Sequence, residues 1–209
     1  MTPLPFLVAV LAFGWGKPGA SQIGSASDTA AATWVAQNYA SVIHQLMPFD
    51  RAISVYDSWV FSVRGGPQAD AEFFLVVRKR GDGSVQAKYV EPIGTDIGAQ
   101  LHQLLKKQRS PSVAKIASLV RLRQITVLGS GCEGLADAAT RLEHLTVNVL
   151  PSAGLTVDGA SIAVDATGLG GSLHVVMGSE AGEPHHELME WTSRTAKLVR
   201  RCGGLTEVD

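Results

Sequence analysis

Gly129, Ser130, Gly131, Cys132, Glu133 and Gly134 are the residues whose types and spacing come nearest to a known chemistry. They follow the apolar run Gln124 to Leu128 and open a helix that the pattern predicts over Glu133 to His144. Glycines at the first, third and sixth places leave room for a phosphate to approach the N–H groups at a helix's positive end. Cys132 offers a second chemistry. It is one of only two cysteines, the other being Cys202. In an exported chain an even count favours a bridge. Closing a loop of roughly seventy residues would stabilise by about 4 kcal/mol through chain entropy. Two buried, unpaired thiols are the alternative.

In its local setting the stretch resembles the dinucleotide-binding fingerprint, which implies a nucleotide cofactor held at Gly129, Gly131 and Gly134. The resemblance covers about thirty residues, one strand–helix unit. Past it, the apolar run TVNVL ends in Pro151 and Ser152, where the fingerprint has an acidic residue for the ribose. Glycine-rich hairpins follow in place of further crossovers. A structural loop accounts for the same residues: the glycines deliver Cys132 to Cys202 and start a helix. On that account no cofactor is expected.

Other catalytic constellations are incomplete. No GxSxG is present, and Ser130 lies between glycines without the flanking spacing of a nucleophile elbow. Of the six histidines, His185 and His186 are adjacent on a predicted helix beside Glu187, with His174 on a strand nearby. Consecutive helical positions diverge by about 100°, so the pair does not share an ion easily, and HExxH is absent. His44, His102 and His144 fall in or late in helices as solvated imidazoles, with His102 partly buried among leucines. No metal is expected. Asp57 breaks an otherwise apolar strand face, and Asp165 is a second carboxylate on a strand. Either could serve as an acid or base if buried, though a bulge or a cap is the commoner explanation. Tyr56, Tyr89 and Arg78 are expected on the wetter sheet face, where they could meet a partner.

The elements around these residues point to an α+β fold. The firmest stretch is a three-stranded antiparallel meander over residues 52–92. Ile53, Val55, Trp59, Phe61 and Val63 alternate with Ser54, Tyr56, Ser58 and Ser62, which predicts one packed and one wetter face. Phe73 to Val77 is apolar throughout, so that strand is central. Gly81, Asp82 and Gly83 suit the following hairpin. Ser27 or Asp28 caps a helix running to about Met47. Thr95 or Asp96 caps another, with Ile97, Leu101, Leu104 and Leu105 facing inward. After the linker candidate QRSPSVA come a short helical turn and the strand RQITVLG. The helix starting at Glu133 and further hairpins, one turning at Asp158-Gly159, lead to a closing helix. Pro184 opens that helix, Leu188, Trp191, Leu198 and Cys202 face inward, and Gly203 ends it. About four helices therefore pack an antiparallel sheet, and an α-β-β-β-α pseudo-duplication is conceivable.

Three segments result: 1–26, a signal peptide or N-terminal arm; 27–110, a helix–meander–helix half; and 111–209, a helix–hairpins–helix half forming one compact domain with the first. The apolar run from Leu4 to Trp15 is too short for a stable membrane span. With small residues after it, and Ala20 or Ala26 as cleavage points, it has a signal peptide's outline, although its only positive charge upstream is the terminal amine. Charged residues make up 18% of the 209-residue chain and net charge is −1, giving no electrostatic basis for binding nucleic acid or an anionic membrane. The overall pattern resembles that of small exported bacterial proteins. The function expected is non-catalytic, binding an unknown protein or small molecule through the sheet or a loop edge. A nucleotide-binding protein or oxidoreductase using the glycine loop comes second, and a hydrolase third.

Overall fold

A strand that is apolar at successive positions is stable only when both of its faces are covered. The computed structural model describes residues 26–48, 54, 56–65, 72–108, 111–145, 161–168, 171–178 and 186–205. In it Phe73 to Val77 belong to strand β2 (Phe73–Arg80), between β1 (Asp57–Gly65) and β3 (Val85–Pro92). β4 (Leu122–Leu128) adds beyond β3, and β5 (Ser161–Gly168) and β6 (Gly171–Gly178) add beyond β1. The order is β4-β3-β2-β1-β5-β6, antiparallel at every step. The fold is thus α+β with an open antiparallel sheet built on the meander. Strands from the second half of the chain flank the first half's meander on both sides.

Among the described residues five α-helices accompany the sheet: α1 (Ala26–Leu46), α2 (Ile97–Leu105), α3 (Val113–Ala117), α4 (Leu135–Glu143) and α5 (His186–Cys202). They divide between the two faces. Phe61, Val63, Leu75, Val77, Ala87, Tyr89, Val127 and Val164 pack with Leu135 and Ala139 of α4 and Leu188, Trp191 and Val199 of α5. Trp191 meets Phe61 edge to face, with ring centroids 5.2 Å apart. On the opposite face Val60, Phe74, Val76 and Val90 pack with Val42 and Ile43 of α1, Ile97 and Leu101 of α2 and Ile116 of α3.

Two-sided cover corrects the expectation of a wetter face. Ser62 is fully buried and Val60 is 1% exposed. Serine's hydroxyl is small enough to go under a helix layer, so alternation of Ser with Val did not mark solvent. The supposed partner-binding trio disperses for the same reason. Tyr89 is buried under α5 and stacked on Phe73, Arg78 lies on the other face, and Tyr56 alone is exposed.

Local signals mostly work as their chemistry dictates, but α1 begins at Ala26, so Ser27 and Asp28 lie within its first turn instead of capping it. Asp96 caps α2 by accepting from Ala99 N at 2.7 Å, and Gly83 takes φ +83° in the β2–β3 turn. The end of α5 differs by one residue. Gly204 holds the left-handed φ of +75°, with Leu205 N bonded to Arg200 O and Gly204 N to Arg201 O. Gly203 is needed for space: a Cβ there would lie 2.5 Å from Ile125 Cδ1. The N-terminal run, TVNVL, the Asp158-Gly159 turn, Pro184 and His185 lie outside the described residues.

Cys132 follows the short 3-10 turn Gly129–Gly131, and Cys202 ends α5. Their sulfurs are 2.12 Å apart, at disulfide distance, with Cα atoms 5.4 Å apart and a sequence separation of 70. Intact mass should rise by two hydrogens on reduction. The reduced protein should lose about 4 kcal/mol in urea unfolding. Free thiols in unreduced protein, or identical unfolding midpoints, would remove the bridge from the account.

Candidate functional site

The glycine-rich loop sits where β4 leaves the sheet. β4 runs antiparallel to β3, with Gln86 opposite Leu128, and is an edge strand. A dinucleotide fingerprint instead places its loop after a strand inside a parallel sheet. Two of the three glycines have a structural reason to be glycine. A Cβ on Gly129 would stand 3.3 Å from the Val85 carbonyl oxygen. Gly134 adopts φ +88° as the N-cap of α4 and makes no side-chain cap bond. Gly131 faces open space. Cys132, between them, is buried against Cys202.

Asp57 is explained by a bulge. The β1–β2 register shifts between Asp57 and Trp59, which turns Asp57 away from the Trp59 face toward Arg78. Arg78 Nη1 donates to Asp57 Oδ2 at 2.6 Å, and Ser54 N donates to the same oxygen at 2.8 Å. The carboxylate is 5% exposed. Paired and enclosed in this way, it is a structural anion rather than a free base.

Asp165 has a more suggestive address. The register sets it opposite Ser62 on β1 and opposite His174 on β6. Serine, aspartate and histidine thus occupy one row across three strands. In nucleophilic catalysis the imidazole lies between the hydroxyl and the carboxylate; here the carboxylate holds the middle place. Ser62 and Asp165 are both buried, so the row does not present a nucleophile to solvent. Among the described residues no three His, Cys, Asp or Glu side chains gather as a metal site requires.

Two buried polar groups that sequence reasoning did not single out organise the other face. Glu72, 4% exposed, accepts from Tyr39 Oη and from Ile97 N, fastening α1 and the start of α2 to the head of β2. Burial, and then the bond to Glu72, push the Tyr39 phenol far above its ordinary range, so it remains a donor. Gln100 projects inward from α2. Its Nε2 donates to Thr95 O at 3.0 Å and to Ile93 O and Arg121 O at 3.3 Å, while its Oε1 accepts from Arg121 N at 2.8 Å. One amide therefore locks the β3–α2 loop to the α3–β4 connection. Its place three residues after Ile97 and beside Leu101 puts a polar group on an apolar stripe, a signal a helical projection would have exposed. Glu72 precedes its strand and carries no periodic signal.

Gln100 forms the floor of a cleft of about 290 Å³, walled by Ile93, Gly94, Thr95, Gln103, Leu104, Lys107, Leu119 and Arg121. Lysine and arginine line it, and among the described residues no acidic side chain does. A second cleft of about 200 Å³ between α4 and α5 has balanced charge, with Asp137 and Glu190 beside Arg141 and Arg194. The Glu190 and Arg194 side chains pair with one another there.

Gln100→Ala should cost about 1–3 kcal/mol, because it strands the Arg121 amide and several carbonyls. Urea midpoints, together with faster hydrogen exchange at Arg121, check this; an unchanged exchange rate would contradict the lock. At the other end of the sheet, Glu143 Oε1 accepts from Lys79 Nζ at 2.8 Å and from Trp59 Nε1 at 2.7 Å. These bonds, Lys79's first, hold its carboxyl below the usual glutamate range. A lowered folded-state value means stability that is present above the unfolded value, about 4.3, and lost as pH falls through the folded one. Trp59 emission should therefore titrate below ordinary glutamate pH, and Glu143→Gln should abolish the step.

No protein-family model and no curated protein matches the chain.

Proposed function

We propose that this is a non-catalytic exported protein that binds another molecule at the rim of its sheet, with the Ile93–Arg121 cleft as the seat. The observation that carries this is the cleft's construction. Its walls come from separate elements that Gln100 holds in register, and among the described residues its lining mixes apolar side chains with two cations and no acid. Preformed concavity with a few placed polar groups is what small-ligand sites have in common. Helices on both faces leave the middle of the sheet no surface for a partner, which favours the rim.

Export is supported by the cysteine pair at disulfide distance, a state that persists in oxidising compartments. Among the described residues no helix is long and apolar enough to cross a membrane. A nucleotide-dependent activity has less support, since the Gly129–Gly134 loop opens from an antiparallel edge strand. A hydrolase has less still, with Asp57 enclosed by Arg78 and Ser54.

A fragment screen read by amide chemical shifts is the direct test. Hits should cluster on Thr95, Gln103, Lys107, Leu119 and Arg121. Hits confined to other surfaces, or NADH binding that Gly131→Asp abolishes, would overturn the assignment.

A further inference from the structure

The charge around the cleft is uneven. Neighbouring cations have partners: Lys106 Nζ lies 2.8 Å from Asp28, and Arg123 lies 3.6 Å from Glu91. Lys107 and Arg121 are exposed, line the cleft, and have no ion-pair partner among the described residues. Gln100, the polar group at the floor, uses both amide hydrogens and its oxygen on backbone. It therefore has little left to offer a ligand. What remains for recognition is two cations, the Thr95 hydroxyl, the Gln103 amide and the side chains of Ile93, Leu104 and Leu119. Leu119 is 40% exposed, one of few large apolar side chains so placed.

We propose, building on the binding function above, that the cleft takes a small organic anion with an apolar body, a carboxylate carrying a short hydrocarbon chain. The carboxylate sits between Lys107 and Arg121, with Arg121 able to meet both oxygens through its planar fork. The chain lies over Leu119 and Leu104, where burying it releases water from both apolar surfaces. Neither part suffices alone. Exposed ion pairs are individually weak, and a cleft of this size buries little hydrocarbon. Together they select charge sign and apolarity at once.

Octanoate is the probe, and octyltrimethylammonium, with the same chain and opposite charge, is the control. Octanoate should shift the amides of Thr95, Lys107, Leu119 and Arg121 saturably, and its affinity should fall as salt is raised. The paired change Lys107→Gln with Arg121→Gln should weaken it about tenfold, two exposed ion pairs' worth, without moving the melting temperature. Leu119→Ser should weaken it independently. Equal binding of octanoate and octyltrimethylammonium at these residues would overturn the anion assignment and leave the cleft as a binding site. Saturation of neither probe, with no fragment bound there either, would remove both proposals.

Discussion

Phe74 and Leu75 are adjacent in β2 and point to opposite sides of the sheet, exposed by only 2% and 0%. A strand with this demand on both faces cannot lie at a surface. The rest of the architecture answers it. α1, α2 and α3 close one side, α4 and α5 the other, and strands from the second half of the chain protect the flank beyond β1 and the flank beyond β3. Each large side chain buried this way contributes about 1.5–3 kcal/mol, so the two cores together outweigh any single polar contact.

Burial on both faces creates a secondary difficulty, because loops between helices and strands must bring their polar backbone under cover. The buried polar side chains meet that need. Glu72 takes the first N–H of α2, which no turn of that helix can satisfy. Gln100 supplies donors and an acceptor to the β3–α2 loop and the α3–β4 connection. Asp57 binds Ser54 N where the bulge interrupts the ladder. All three act on backbone groups whose loss would leave an uncompensated polar atom, which makes them worth more than their hydrogen-bond count.

Features dictated by neighbours in sequence were legible in advance. The meander, the Asp96 cap, the inward faces of α2 and α5 and the turn at Gly83 all follow from spacing and local chemistry. Features that depend on what packs across a gap were not. Ser62 looked solvated because alternation cannot report a second helical layer. Gly203 looked like the cap, whereas Ile125 on a distant strand claims that glycine and passes the left-handed turn to Gly204. The cleft was hidden for the same reason. Lys107 and Arg121 read as ordinary surface charges until Gln100 joins their segments. The GxGxxG spacing was plain in sequence, but the direction of the strand ahead of it was not, because spacing does not carry it.

The link at Cys132 and Cys202 has a mechanical consequence. With the sulfurs joined, the stretch from Cys132 to Cys202, a sequence separation of 70, closes into a covalent ring that contains α4, β5, β6 and α5. Tension applied at the chain's two ends would pass through the sulfurs and bypass that ring. Only β1–β4 and the first three helices would bear the load. The protein would yield as a short chain carrying a folded pendant, and the β1–β5 seam would mark where the loaded part tears from the slack part.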